Sequence, residues 1–267
     1  MNERDIIKIE KDKLGILQQH LARFACPILI EKNKGRYVLG GSSVLLSNGG
    51  KKYIVTATHV VELINKYGSF MLDNFAKPFQ IKLKFLAGIS KNELTTKNDS
   101  VDVAIAEFDE EYSSLLADIW LYWPTEMCWE RTKIDSMDIG FSIIGFPETK
   151  NRFRNTIHPN SYIALKNEVD VNIYFKYNIQ PDMHIAFDFQ DFIQFDADIP
   201  QQYNFPAPYG MSGGPVWRTV NFKNIDSFVE KPMLTGIIIE QTRDKKVVFC
   251  TKIQVATNGL KYLYLNP

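Results

Sequence analysis

Three side chains in this sequence have the types and settings that acyl-transfer chemistry needs: His59 in "TATHVV", Asp102 in "DSVDVAIAEF" and Ser212 in "YGMSGGPVW". Each alone has a bland reading. Clusters of Gly and Pro punctuate turns, a lone histidine at a strand end is more often structural, and an aspartate before an apolar run is often just solvated. Together they gain force. A serine hydroxyl is a poor nucleophile until a base takes its proton, and imidazole suits that task near neutral pH. The base in turn needs a carboxylate to fix its tautomer and to stabilise the imidazolium that forms. The glycines beside Ser212 permit a tight turn whose amides face a developing oxyanion.

The remaining titratable candidates are weaker. Of the four histidines, His20 falls in a helix-patterned segment, His158 precedes a proline in a polar loop, and His184 opens an aromatic-rich strand. None has a convincing partner pattern. Asp99 lies close to Asp102, but no apolar run follows it. Cys26, Cys128 and Cys250 form an odd, widely spaced set without a CxxC motif, so neither a disulfide framework nor a zinc site is indicated. Each sits in an apolar stretch and reads as a buried free thiol.

The elements that must position these groups are mostly strands. Leu14, Leu17, Leu21 and Phe24 recur at helical spacing and predict a helix over about residues 11–24. Thereafter short β-prone runs dominate, among them "ACPILIEKN", "RYVLGGSSVLLSN" and "KKYIVTATH", broken by Gly-Gly and Asn-Gly-Gly turns. "HVVELINKYG" predicts a short helix beginning near His59, with Gly68 as its C-cap. Residues 110–131 lack strand alternation and read as a connection between two halves. Later strand candidates are "DIGFSIIGFP", "SYIALKN", "VDVNIYFKYN", "HIAFDFQDFIQFDAD", "PMLTGIIIEQ" and "KKVVFCTKIQV". Residues 148–205 otherwise read as long loops or an added hairpin. The pattern points to an all-β barrel or sandwich.

Composition narrows the function classes. Hydrophobic residues make up 45% and charged residues 23% of 267, an ordinary globular mixture. Formal net charge is zero, so no global field draws the chain to nucleic acid or to an anionic membrane. No apolar run reaches the length of a membrane span, and the N-terminal stretch lacks the apolar core of a signal peptide. A cytoplasmic protein without nucleic-acid or membrane partners is the expectation.

Read together, "LGGSSVLLSNGGKKYIVTATHVV", "DSVDVAIAEF", "DIGFSIIGFP", "YGMSGGPVW" and "PMLTGIIIE" resemble the chymotrypsin-like (trypsin-like) serine peptidases, in the reduced form of bacterial trypsin-like peptidase domains. The order His, Asp, Ser is one of the known orders of this constellation and differs from that of the α/β-hydrolases. The resemblance covers about residues 25–255. It implies two perpendicular six-stranded β-barrels with an N-terminal helix and few short helices. The expected division is a helical extension over 1–24, a first barrel with His59 and Asp102 over 25–115, a connection over 116–131, and a second barrel with Ser212 over 132–267. It implies a serine endopeptidase with His59, Asp102 and Ser212 catalytic, Gly210 and Ser212 amides forming the oxyanion hole, and no metal or cofactor.

For substrate binding the resemblance points to Pro206 at the base of the pocket and to Ile239, Glu240 and Gln241 along its wall. A protein or peptide substrate would add as a strand along about residues 237–241, with a small or medium apolar residue before the scissile bond. The sequence departs from the family at Met211 and along the pocket strand. Met211 stands where secreted members carry an aspartate that pairs with a new N-terminus, so proteolytic activation is not expected; control by an activating protein partner is the alternative. Ile239, Glu240 and Gln241 stand where many members carry a serine near the catalytic aspartate, an aromatic residue and a glycine at the pocket entrance, which Gln241 would narrow. The competing reading is a catalytically silent module that binds a protein segment in the inter-barrel cleft.

Overall fold

The computed structural model describes residues 11–34, 36–67, 71–73, 78–80, 83, 86–87, 101–117, 119–129, 139–151, 159–164, 171–177, 179–188, 192–195, 210–221, 232–241 and 247–265. The first half of the chain supplies β1 (Ala25–Asn33), β2 (Arg36–Asn48), β3 (Lys51–Thr56), β4 (Met71–Asp73), β5 (Pro78–Gln80), β6 (Leu86–Ala87), β7 (Ala104–Glu107) and β8 (Trp123–Pro124). They form one sheet in the order β5-β4-β1-β2-β3-β7-β6, with β8 pairing β2 off that path. The second half supplies β9 (Ile139–Gly145), β10 (Asn160–Ala164), β11 (His184–Asp188), β12 (Phe192–Phe195), β13 (Pro215–Asn221), β14 (Met233–Gln241) and β15 (Val247–Lys252). Their order is β11-β15-β14-β13-β9-β10-β12. Among the described residues the strand pairings are antiparallel except β2 with β8, and Cys128 and Leu234 form an isolated parallel bridge. The mostly-β expectation holds. Among the described residues the sheets have eight and seven strands where six each were expected, and none of their pairings closes either sheet on itself.

Local chemistry explains the hairpin that delivers His59. Asn48 pairs with Lys51 across Gly49 and Gly50, whose φ values of 54° and 84° require glycine-like freedom and suit a tight two-residue turn. β3 then runs fully buried from Tyr53 into the first turn of helix α2 (Thr58–Tyr67), which buries Thr58, Val60, Val61 and Ile64.

The second sheet buries both faces. Successive strand side chains point to opposite sides. Ile237, Ile239, Val247 and Phe249 join a large core shared with the first sheet, whereas Ile238, Val248 and Cys250 join a second cluster with Phe141, Ile143 and Met211. Burial on both faces is why "GIIIE" and "VVFC" show no alternation of apolar and polar residues. An aromatic chain ties the sheets together: Phe24 meets Trp123 edge-on at 4.9 Å, and Trp123 meets Trp217 at 6.0 Å.

Helix α1 (Lys11–Ala22) packs as its leucines require, with Leu21 fully buried and Gln18 donating to Ser142 Oγ of β9 at 2.5 Å. Helix α3 (Glu110–Ala117) starts at Asp109, whose carboxylate accepts from Tyr112 N at 2.9 Å. The connection that follows touches both sheets, since Trp123–Pro124 pairs with β2 and Trp129 N donates to Leu234 O at 2.7 Å. A four-residue helix α4 (Glu148–Asn151) follows β9.

Three strand expectations change. "VDVNIYFKYN" contains helix α5 (Val171–Lys176), because Tyr174 is buried with Ile173 and Tyr177 packed partly buried against the same core, and the Tyr174 hydroxyl accepts from Ala186 N at 2.8 Å. "HIAFDFQDFIQFDAD" contains two strands with different partners, β11 on β15 and β12 on β10. The run ending "TKIQV" stops as a strand at Lys252, and helix α6 (Ile253–Leu265) follows, burying Ile253, Ala256 and Leu260 at helical spacing. Cys26, Cys128 and Cys250 are buried free thiols, as expected. No helix among the described residues is long and apolar enough to cross a membrane.

Candidate active site

His59 is the second residue of α2, at the corner where β3 becomes helix. The N–H groups of Val60 and Val61 both donate to Ala57 O, at 3.1 and 3.4 Å, and so fix that corner. β7 lies beside β3 with Thr56 opposite Ala104. Continued past the strand ends, that register sets Asp102 across from Thr58, next to His59. A three-residue turn, Val103 N to Val101 O at 2.9 Å, holds Asp102 with Val101 and Val103 buried on either side.

The two oxygens of Asp102 take separate tasks. Oδ1 accepts the His59 backbone N–H at 3.0 Å, and Oδ2 lies 2.5 Å from His59 Nδ1. A carboxylate only accepts, so the neutral ring carries its proton on Nδ1 and presents the lone pair of Nε2. The Asp102 side chain is 18% exposed and that of His59 42%. The carboxylate is sheltered by its partner, while the imidazole has an open side from which a substrate could reach it.

Ser212 sits in the turn that leads into β13, and the turn is tied on every side. Gly213 N donates to Ile238 O at 2.7 Å, Gly214 N to Met211 O at 2.8 Å, and Ile238 N to Gly214 O at 2.8 Å. Gly210 and Gly213 have φ of 89° and 87°. Across the sheet boundary, Ser42 N donates to Ser212 O at 2.8 Å. A Cβ on Gly213 would strike Ser42 O and Thr56 Oγ1 and stand 3.1 Å from Ala57 N. A Cβ on Gly41 would meet Val60 at 2.7 Å and Ser212 O at 3.1 Å. Glycine at both places lets the serine turn lie directly against the corner that carries His59.

The structure therefore brings His59 to Asp102 by hydrogen bonds and brings the Ser212 turn against the His59 corner. The hydroxyl of Ser212 is directed to Ile239 O, at a long 3.5 Å. Gly210 and Ser212 flank Met211, which is fully buried in the second core cluster. Among the described residues, the N–H groups of Gly210 and Ser212 have no protein acceptor, while those of Gly213 and Gly214 do.

Among the described residues, the β13 side of β14 is paired as far as Ile238. Ile239 to Gln241 lie beyond it, paired on the other side with β15 through Glu240↔Phe249 and Gln241↔Val248. A bulge at Ile239 breaks that register. Its side chain is buried in the core between the sheets and its carbonyl faces Ser212. Pro206 and His158 lie outside the described residues. His20 packs edge-on against Phe24, and His184 is buried with Nδ1 3.0 Å from Gln180 O. Neither joins the site. Among the described residues no group of three or more His, Cys, Asp or Glu is placed to hold a metal ion.

Two positions escaped the sequence reading. Ser42 touches the serine turn with both backbone and side chain, and Gly145 makes room for Met211. The signal for the first was present: a Ser-Ser pair in the middle of an otherwise apolar strand must find partners when buried.

No protein-family profile matches the chain, and no curated protein matches it. Among solved structures, the inactive serine-to-alanine form of Rv3671c from M. tuberculosis H37Rv aligns with a TM-score of 0.45 and 11% identity, over 93% of this chain and 90% of that one. The catalytically active tobacco etch virus protease, complexed with product, aligns with a TM-score of 0.44 and 9% identity, over 89% of this chain and 78% of that one. At these values neither likeness bears on the chemistry of this chain.

Proposed function

We propose that this protein is a serine endopeptidase of chymotrypsin-like architecture, working through His59, Asp102 and Ser212. The observation that carries the reading is the Asp102–His59 pair beside a glycine-rich serine turn that is wedged against the same corner. Ser212 Oγ attacks the scissile carbonyl as its proton passes to His59 Nε2, and Asp102 stabilises the resulting imidazolium. The N–H groups of Gly210 and Ser212 hold the tetrahedral oxyanion. Collapse passes the proton from His59 to the leaving amine and leaves an acyl-enzyme, which water then hydrolyses by the same route. The polypeptide substrate adds as a strand along Ile239 to Gln241, which lie past the last described pairing of β14 with β13. Three buried free thiols suit a reducing, cytoplasmic setting. There a peptidase needs narrow specificity or an activating partner to spare its host.

The test is covalent labelling by a fluorophosphonate probe, followed by mass spectrometry. Wild type is expected to label at Ser212 and Ser212→Ala not to label. Equal labelling of the two forms, or none of wild type, overturns the mechanism and favours a module that binds a peptide in the cleft without cutting it.

A further inference from the structure

Ser42 is fully buried in the middle of β2, opposite Pro27 of β1, and both its backbone and its hydroxyl are committed. Its carbonyl accepts from Thr56 Oγ1 at 2.7 Å, and its N–H donates to Ser212 O at 2.8 Å. Its hydroxyl accepts from Phe146 N, just past the end of β9, at 3.0 Å and donates to Gly210 O at 2.6 Å. One residue of the first sheet thus holds the carbonyls on both sides of Met211.

Resting on the peptidase reading, we infer that the Ser42 hydroxyl is a positioning residue that fixes the oxyanion-binding turn from across the sheet boundary. In a planar trans peptide the C=O and N–H point opposite ways. Holding Gly210 O toward β2 therefore sets the plane of the 210–211 peptide. The Gly214 N to Met211 O bond sets the next plane and turns the Ser212 N–H out of the turn. Glycine at 210 offers little resistance to rotation, so a partner for its carbonyl must supply the constraint. Among the described residues that partner is the Ser42 hydroxyl, itself oriented by Phe146 N. Losing it takes the donor from a half-buried carbonyl, and the peptide would turn to find another.

Ser43 provides a matched control. It is the next residue, equally buried, and its hydroxyl makes one bond to a backbone carbonyl, Cys26 O at 2.9 Å, away from the turn. Ser42→Ala and Ser43→Ala are compared by fluorophosphonate labelling rate and by amide hydrogen exchange over residues 210–214. Ser42→Ala is expected to label about tenfold more slowly, since it disturbs oxyanion donors without removing one, and to exchange faster over 210–214. Ser43→Ala is expected to match wild type in both. Equal labelling rates for the two variants overturn the inference. If Ser42→Ala does not fold, Ser42→Cys, close in shape but a weak donor, is read against the same criterion. If wild type itself does not label, the peptidase reading fails separately. Exchange then decides the clamp: faster exchange over 210–214 in Ser42→Ala supports it, and unchanged exchange overturns it.

Discussion

Met211 occupies the space that Gly145 leaves open. A Cβ built on Gly145 would stand 3.1 Å from Met211 Cε and 3.3 Å from its Cα, and Met211 is fully buried. The residue before Ser212 is therefore held by apolar packing in the second core. The turn is anchored as soon as the chain has folded.

That anchoring gives the first prediction. Met211→Ala empties a packed site and is expected to destabilise by about 2–5 kcal/mol. Gly145→Ala crowds Met211 and is expected to cost about 1–3 kcal/mol. Both should slow fluorophosphonate labelling of Ser212, because the side chain that pins the turn is lost or displaced. Urea midpoints and labelling rates measure the two effects. Full labelling speed in a clearly destabilised Met211→Ala would show that the turn does not depend on this anchor.

Asp102→Asn tests the carboxylate. An amide has one accepting oxygen, so it cannot accept from both His59 N and His59 Nδ1 as the two carboxylate oxygens do. One contact becomes donor against donor unless the imidazole changes tautomer and leaves Nε2 protonated. Labelling should fall by about 10³–10⁴-fold with only a modest change in stability. A loss below tenfold would remove His59 as the base.

Gly213 and Gly49 separate backbone strain from close approach. Both have positive φ, but a Cβ on Gly49 meets nothing within 4 Å, whereas one on Gly213 strikes Ser42 O and Thr56 Oγ1. Gly49→Ala should cost about 1–2 kcal/mol from the left-handed conformation alone and leave labelling intact. Gly213→Ala should cost more and abolish labelling, since the serine turn must move off the His59 corner. Similar denaturation midpoints and similar labelling for the two would contradict the docking described here.

The His59–Asp102 pairing was more legible in the sequence than the fold around it. His59 and Asp102 announce themselves because a polar residue interrupts a buried run at each strand end, and the β3–β7 register then brings them together. Ser212 announces itself through glycines that close packing requires. The second sheet was harder, because strands buried on both faces lose the alternation that would set their limits. The "VDVNIYFKYN" segment alternates like a strand yet contains a helix anchored by Tyr174. Helix α6 was hidden because its apolar spacing begins within a β-branched run. The role of Ser42 depends on contacts with residues more than a hundred positions away, which no local pattern carries.

The buried thiols predict a one-sided pH dependence. Burial pushes the Cys250 thiol well above its ordinary range, and burial together with nearby Cys26 raises the Tyr122 hydroxyl in the same direction. Both groups are neutral when protonated, so in the folded state they keep protons that the unfolded chain releases. Above the ordinary thiol range, near ~8.5, the unfolded state binds fewer protons and stability falls as pH rises. Cys250 contributes about 1.4 kcal/mol per pH unit in that window. Tyr122 contributes a smaller loss above ~10 because it is partly exposed. Below the thiol range neither group adds any slope. Urea midpoints measured from pH 7 to 11 should decline, and Cys250→Ala should flatten the first part of that decline. The same burial predicts that Cys26, Cys128 and Cys250 resist a soluble disulfide reagent at neutral pH until denaturant is added. A stability that holds level through pH 9–10 in wild type would show that Cys250 ionises as readily in the folded chain as in the unfolded one.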